Sequence, residues 1–171
     1  MIIAFTAYSG DCQVRGQLAI PDGERLTDFV NASDELRITN ATLVSFADGH
    51  DVALDEVVLS RDDILAIEAY EPRGETARRI HTVRHRLELK SGPLTILGQL
   101  HTPPGSAPLS AIGRRQPMVP LTNTTIAYND ASGLHVQDIT ILIVNREQIE
   151  WVRADPQDLP VFAGVPVAAS A

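Results

Sequence analysis

Apolar and polar residues alternate along most of the chain, and short turn sequences interrupt the alternation. Residues 2–20 contain such a turn at Ser9-Gly10-Asp11, and residues 82–102 contain another at Ser91-Gly92-Pro93. Runs of β-forming residues on both sides of a glycine-containing turn are typical of β-hairpins. The pattern therefore predicts one long hairpin at the start of the chain and a second one near its middle.

A short helix and further strands are predicted after each hairpin. Leu26, Phe29 and Val30 follow helical spacing, which predicts a short amphipathic helix. The corresponding segment APLSAIGRRQ starts beside a proline and is broken by Gly113, so its helix should be shorter. The half-buried strands and bent strand pairs that follow are predicted at residues 36–47, 54–70, 119–129 and 135–153. These elements predict a mainly β protein.

The order of the elements repeats because the sequence itself repeats. VRGQLAIPDGERLTDFVN (14–31) recurs as ILGQLHTPPGSAPLSAIG (96–113), and the offset between matched positions drifts only from 82 to 85 along the chain. Several pairs are identical: Gly16/Gly98, Gln17/Gln99, Leu18/Leu100, Pro21/Pro103, Gly23/Gly105, Thr39/Thr122, Asn40/Asn123 and Arg61/Arg146. We interpret this as an internal duplication. The predicted parts are a first β-barrel repeat at 1–70, a connector at 71–79, a second repeat at 80–153 and an extended or disordered tail at 154–171.

Each repeat resembles the Sm-like fold of the LSm and Hfq proteins. Val14, Gly16, Leu18 and Asp22 match the spacing of the first Sm motif, and Thr39-Asn40-Ala41 resembles its later part. VVLSRDDILAIE (57–68) and LIVNREQIEWVR (142–153) are similar to the second motif in length and apolar rhythm, with Ser60 and Asn145 where that family has arginine. The motif positions singled out by the resemblance are Gly16, Asp22, Asn40, Gly98 and Asn123.

The resemblance implies two SH3-like or Sm-like small barrels, each with a short helix inserted after its first long hairpin. Sm-like barrels build six- or seven-membered rings by pairing edge strands. Two repeats per chain therefore predict a homo-oligomer, in which a cyclic trimer would hold six barrels. The resemblance also implies RNA as an alternative partner, with arginines on its phosphates. Another alternative is a monomer whose two repeats satisfy each other's edges.

The net charge and its distribution along the chain bear on which class of partner is expected. The chain of 171 residues has a formal net charge of −8, which disfavours RNA as a partner and any anionic membrane. Residues 1–75 carry a net charge of −10 (five Arg, fifteen Asp or Glu), so the remainder carries +2. The arginines named as candidate contacts to a protein partner or to phosphates are Arg61, Arg146, Arg78, Arg79, Arg84 and Arg86. Opposite charge on the repeats favours head-to-tail contact between chains or a protein partner.

Sequence motifs for catalysis or cofactor binding are not found. His81 and His85 follow strand rhythm and lack a third ligand, which predicts no metal site. There is no Gly-x-Ser-x-Gly nucleophile motif and no glycine-rich phosphate loop. We therefore predict a non-enzymatic binding or assembly module without a cofactor. A small-molecule enzyme with a site between the repeats is the remaining alternative.

The single cysteine, Cys12, excludes an intrachain disulfide and predicts a cytoplasmic protein. No apolar run approaches the about 18 residues that a membrane span needs, and no signal peptide is evident. The aligned strands predict that Leu18, Leu43, Val58 and Ile64 occupy the same core positions as Leu100, Ile126, Ile143 and Ile149. Gly16 and Gly98 are predicted at a strand bend where no side chain fits. Trp151 is predicted to lie partly in the core.

Overall fold

The computed structural model describes residues 1–70 and 81–154; the predicted connector, with Arg78 and Arg79, and the tail beyond Ala154 lie outside these residues. The first half contains β1 (Ile2–Tyr8), β2 (Cys12–Ala19), α1 (Leu26–Ala32), β3 (Glu35–Ser45), β4 (Asp51–Ser60) and β5 (Ala66–Ala69). The second contains β6 (Val83–Ser91), β7 (Leu94–Thr102), α2 (Pro108–Gly113), β8 (Met118–Asp130), β9 (Gly133–Asn145) and β10 (Trp151–Ala154). The prediction of a mainly β fold, with a short helix after the first hairpin of each half, is confirmed.

The strands pair in the same order in both halves. In the first half the order is β5-β1-β2-β3-β4, and in the second it is β10-β6-β7-β8-β9. A 3-10 turn joins the last two strands in each case, at Arg61–Asp63 and at Arg146–Gln148. The halves do not form separate sheets, because β5 also pairs with β9 and makes one open antiparallel sheet of ten strands. Among the described strands, β4 and β10 are its two outer edges, so the halves satisfy one edge of each other and leave one edge of each half open.

The buried side chains form two cores that meet at β5. Ile67 and Ala69 of this strand belong to the core of the first half, together with Phe5, Leu18 and Ile38. Ala66, on the opposite face of β5, belongs instead to the core of the second half, which also contains Tyr8 of β1. Because alternate residues of a strand point to opposite faces, a strand buried on both faces connects the two cores directly.

Gly16 and Gly98 lie at equivalent β-bulges, where the pairing of β2 with β3 and of β7 with β8 shifts register. A Cβ on Gly16 would lie 2.6 Å from Ile38 Cγ2 and 2.8 Å from the Thr39 carbonyl oxygen. A Cβ on Gly98 would lie 3.1 Å from Thr124 Oγ1, which is tight but less severe. The prediction that a side chain does not fit is confirmed at Gly16, where backbone atoms approach closely, whereas at Gly98 side-chain atoms of Thr124 and Leu121 limit the space.

The predicted core positions agree with the structure except at Val58. Leu18 and Ile64 of the first half and Leu100, Ile126 and Ile143 of the second are buried, and Leu43 and Ile149 are half-buried. Val58 is 45% exposed, so its placement in the core was wrong. Its counterpart Ile143 faces Ile67 across the β5–β9 pairing, whereas Val58 lies on the outer edge strand and has no such neighbour.

Candidate functional site

The contact between the two halves, called the seam below, is an antiparallel pairing of β5 with β9. Ala66 faces Val144, Ile67 faces Ile143, Glu68 faces Leu142 and Ala69 faces Ile141. All four residues of β5 are buried. The main-chain pairing supplies direction and register, and the apolar side chains on both faces supply the driving force for contact.

Polar groups next to the strands fix the seam at one end. The Asn145 backbone N–H donates to the Leu65 carbonyl at 2.9 Å, and its side-chain Nδ2 donates to the carbonyls of Ile64 at 3.0 Å and Arg61 at 3.3 Å. Gln148 Nε2 donates to the Asp62 carbonyl at 2.8 Å. Asn145 itself is buried. Since a buried amide without partners is costly, this residue specifies one register of the seam.

A second polar cluster lies at the other end of β5. Glu68 is only 4% exposed, and it accepts hydrogen bonds from Tyr8 Oη at 2.6 Å and from Tyr70 Oη at 2.9 Å. Burial, and then Glu68, raise the pKa of the Tyr8 phenol above its ordinary value. The long β8–β9 hairpin covers this cluster, because the Tyr128 ring packs edge-on against Tyr8 with 5.7 Å between centroids. The carboxylate is thus held by hydroxyl donors at the contact between the halves.

The helix α1 also contacts the second half. Asn31 Nδ2 donates to the Met118 carbonyl at 2.9 Å, and Asn31 Oδ1 accepts from the Met118 N–H at 3.0 Å. These two bonds satisfy the backbone of the first residue of β8. Asn31 therefore acts as a structural bridge between the halves.

The two outer edges correspond to the two strands of the seam. At the offset of 85 residues, β4 is the counterpart of β9 and β10 is the counterpart of β5. Val52, Leu54 and Val58 of β4 are substantially exposed. Trp151 at the start of β10 is 44% exposed, and the Arg153 guanidinium lies 5.9 Å from its ring centroid. The expectation that Trp151 is partly in the core is therefore wrong, because β10 has no strand outside it among the described residues.

Arg61 and Arg146 lie at equivalent 3-10 turns, but the Arg61 side chain is largely occupied. Its Nη1 lies 3.3 Å from the Asn31 carbonyl and 3.4 Å from the Ser33 carbonyl, at the end of α1. Its Nη2 lies 3.5 Å from an Asp62 carboxylate oxygen. Arg146 Nη2 lies 3.7 Å from a Glu147 carboxylate oxygen. Both arginines therefore carry local structural contacts, and Arg61 is directed at helix carbonyls rather than at solvent.

The positions that match the Sm motifs make local contacts within the fold. Asn40 and Asn123 adopt φ of 49° and 46°, opposite the bulges at Gly16 and Gly98. Their Nδ2 groups donate to Gln17 Oε1 at 3.2 Å and to Gln99 Oε1 at 3.0 Å. Asparagine tolerates this left-handed conformation better than most residues. The exposed Asp22 carboxylate lies 2.8 Å from the Met1 amino group.

Arg84 and Arg86 are exposed on β6, where they face His101 and Gln99 of β7. The structure therefore separates the four candidate arginines that lie in the described residues: Arg84 and Arg86 are on the outer face of the second half, and Arg61 and Arg146 are at the two turns. The cross-strand partner of Arg84 is His101, and Arg115 donates to the His101 carbonyl. They were missed because the three positions are far apart in sequence.

Side-chain clusters suited to catalysis are scarce in the described residues. No group of three His, Cys, Asp or Glu side chains there could hold a metal ion. Asp130 Oδ2 and Ser132 Oγ contact the same His135 nitrogen, Nε2, at 2.8 and 2.9 Å. A nucleophile relay needs the serine and the carboxylate on different ring nitrogens, so this turn does not form one. No helix in the described part of the chain is long and apolar enough to cross a membrane.

Comparison with protein-family models, with curated proteins and with solved structures found no match to this chain. The seam, the two outer edges and the polar side chains beside them are therefore the features of the molecule that bear on its function.

Proposed function

We propose that the chain is a homo-oligomeric assembly module of two Sm-like barrel copies, without enzymatic activity. In the proposed assembly, β4 of one chain pairs with β10 of the next. The observation that carries the proposal is the seam, where β9 and β5, the counterparts of these strands, already pair within one chain. Open edge strands are templates for pairing with another chain. The equivalent pairing already occurs within one chain, between β5 and β9.

The seam gives the register of the proposed contact. Each β5 residue of the seam has its counterpart 85 positions later, and each β9 residue has its counterpart 85 positions earlier. These counterparts place Trp151 opposite Leu59, Val152 opposite Val58, Arg153 opposite Val57 and Ala154 opposite Glu56. Val58, exposed in the single chain, would then be covered by Val152, as Ile143 is covered by Ile67.

A groove lies next to β4 in the first half. The equivalent position in the second half is filled by residues of the seam. The lining of the groove includes Val14, Leu43 and Leu59. The counterparts Ile96, Ile126 and Val144 share one core cluster with Leu65 and Ala66, which come from the first half. Trp151 is the counterpart of Ala66, so in the proposed contact its ring would enter the groove and exclude water from it.

Charge favours the same arrangement. The β3–β4 hairpin carries Asp48, Asp51, Asp55 and Glu56, and residues 47–60 contain no lysine or arginine. The face of β6 and β10 that this hairpin would approach contains Lys90 and the ion pair between Arg153 and Glu88, so Lys90 supplies its net positive charge. Complementary charges of this kind set orientation and association rate more than affinity.

The contact is head-to-tail, and such contacts close into rings when the rotation between neighbours permits. Three chains would give six barrels, so we expect a cyclic trimer. Light scattering at micromolar concentration should give about three times the 18.6 kDa chain mass. Trp151 is the only tryptophan, so its emission should shift to the blue on assembly. A mass near 18.6 kDa at both low and high salt would overturn the proposal.

A cross-link tests the register directly. In a Cys12→Ser background, Val58→Cys and Val152→Cys lie on opposite edges of the sheet, so a disulfide between them joins different chains. We expect covalent oligomers under mild oxidation that disappear on reduction. The matched control pairs Val58→Cys with Val83→Cys, which is exposed but lies on β6, an inner strand of the sheet. Equal cross-linking of both pairs would contradict the register.

RNA binding, the alternative function, receives less support from the described side chains. Arg61 is engaged with the carbonyls at the end of α1, and no aromatic ring lies among the basic residues of β6. Single-stranded nucleic-acid sites usually combine cations with stacking rings. Binding of an RNA oligonucleotide that weakens steeply with salt would revive this alternative.

A further inference from the structure

The outer face of the second half contains a cluster of cationic and hydroxyl groups outside the proposed assembly contact. Arg84 and His101 are cross-strand partners on β6 and β7. His101 Nε2 lies 2.7 Å from Thr122 Oγ1, and its Nδ1 lies 3.3 Å from Thr82 Oγ1. Arg115, which follows α2, donates from Nη2 to the His101 carbonyl. Separate elements thus meet at His101: its imidazole contacts two hydroxyls, and its main-chain carbonyl accepts a hydrogen bond from the Arg115 guanidinium.

The cluster carries positive charge that no described acidic side chain pairs with. No carboxylate of the described residues lies within ion-pair distance of Arg84 or Arg115. Partial burial, followed by the charges of Arg84 and Arg115, lowers the pKa of His101 below its ordinary value. Among the described residues, an anion placed beside Arg84 and Arg115 would therefore meet cations without first displacing a carboxylate.

A concave surface lies next to the cluster. Arg86, Gln99, Asn123 and Thr125 line a hollow of about 230 Å³ on the same face of the sheet. The Asn123 amide donates to Gln99 Oε1 and the Thr125 hydroxyl donates to Asp138 Oδ1, so the hollow supplies space beside the cluster rather than free donors. The hollow is large enough for a phosphate group and part of the molecule that carries it.

The proposed assembly would leave this face open. Ile2 is the counterpart of Arg84 in the first half, and it stays 69% exposed although the seam is formed. The β8–β9 hairpin covers the first half near Tyr8 and Phe46 instead. A ligand on the cluster would therefore be compatible with the assembled protein.

We propose that Arg84, His101 and Arg115, with the Thr122 hydroxyl, form a binding site for the phosphate group of a small molecule. Two guanidinium groups from different elements suit the several oxygens of a phosphate better than the two of a carboxylate. Binding a dianion there would favour the protonated form of His101. The site is independent of the assembly proposal, because none of these four residues belongs to β4 or β10.

The test is a titration of the full chain with inorganic phosphate and, separately, with a nucleoside monophosphate, followed by NMR of the histidine side chains at constant ionic strength. We expect saturable shifts at His101 and a rise of its pKa with either ligand. Tighter binding of the monophosphate would identify an ester as the source, and equal binding would identify the free anion. Sodium chloride at the same ionic strength should produce neither effect.

Two variants distinguish phosphate binding at this site from nonspecific screening of the protein's charge. Arg84→Gln should weaken phosphate binding by about tenfold or more, since charge-assisted hydrogen bonds carry about that factor or more. Arg25→Gln is the matched control, because it removes one charge from an exposed arginine of the first half and should leave binding unchanged. Shifts that chloride reproduces, an unaltered His101 pKa, or equal affinity in the two variants would overturn the proposal. A folded Arg84→Gln protein is verified by its unchanged melting temperature.

Discussion

A methyl group added at Gly16 should destabilise the protein far more than one added at Gly98 or Gly10. In Gly16→Ala the new Cβ would lie 2.6 Å from Ile38 Cγ2 and 2.8 Å from the Thr39 carbonyl oxygen, inside any normal carbon contact. Ile38 is fully buried, so its side chain has little room to move. Overpacking of this kind typically costs about 1–3 kcal/mol. The backbone oxygen on the other side blocks relaxation, so we expect the upper part of that range.

The equivalent change in the second half should cost less. In Gly98→Ala the nearest atoms are Thr124 Oγ1 at 3.1 Å and Leu121 Cβ at 3.2 Å, so a movement of a few tenths of an ångström relieves the contact. Gly10→Ala is the control, since no atom lies within 4 Å of its added Cβ. Urea denaturation of the three variants should rank Gly16→Ala as the least stable, then Gly98→Ala, then Gly10→Ala. Equal midpoints for Gly16→Ala and Gly10→Ala would refute the reasoning.

Three further predictions concern the seam. Leu65→Ala should lower the unfolding free energy by about 2–5 kcal/mol in denaturant titrations, because it empties a buried position in the core of the second half; a change below that of a surface substitution would contradict the packing. Asn145→Ala should cost about 1–3 kcal/mol in the same assay, since the Ile64 carbonyl loses its donor; an unchanged midpoint would show that the bond does not matter. The raised pKa of Tyr8 predicts that stability is full below the ordinary phenol pKa of 10.0 and falls as the pH rises above it, because the unfolded chain ionises first. Tyr8→Phe should remove part of that fall, and an identical pH profile in both proteins would count against it.

The strand pattern could be predicted from the sequence because its signals are local. Alternation, glycine turns and helical spacing each involve residues within a few positions of one another. The strand bends at the bulges could also be predicted, since Gly16 and Gly98 interrupt otherwise strong strands at matched positions. Each of these features depends on backbone geometry that neighbouring residues determine.

The seam could not be predicted in detail because it depends on which strands become neighbours. Val58 and Ile143 occupy matched positions and are both β-branched, yet only Ile143 is buried. Glu68 shows the converse: a carboxylate in the sequence AIEA would be assigned to the surface, but Tyr8 and Tyr70 supply its donors. The Arg84, His101 and Arg115 cluster likewise exists only after β6, β7 and the end of α2 come together.

The burial of β5 on both faces has a consequence for cleavage of the chain. This four-residue strand belongs by sequence to the first half, but Ala66 is part of the core of the second. A single cut between residues 71 and 80 would therefore leave two fragments that each lack part of their packing when separated. The fragments should stay together as a nicked protein under native conditions, and they should reassociate by complementation when mixed after denaturation.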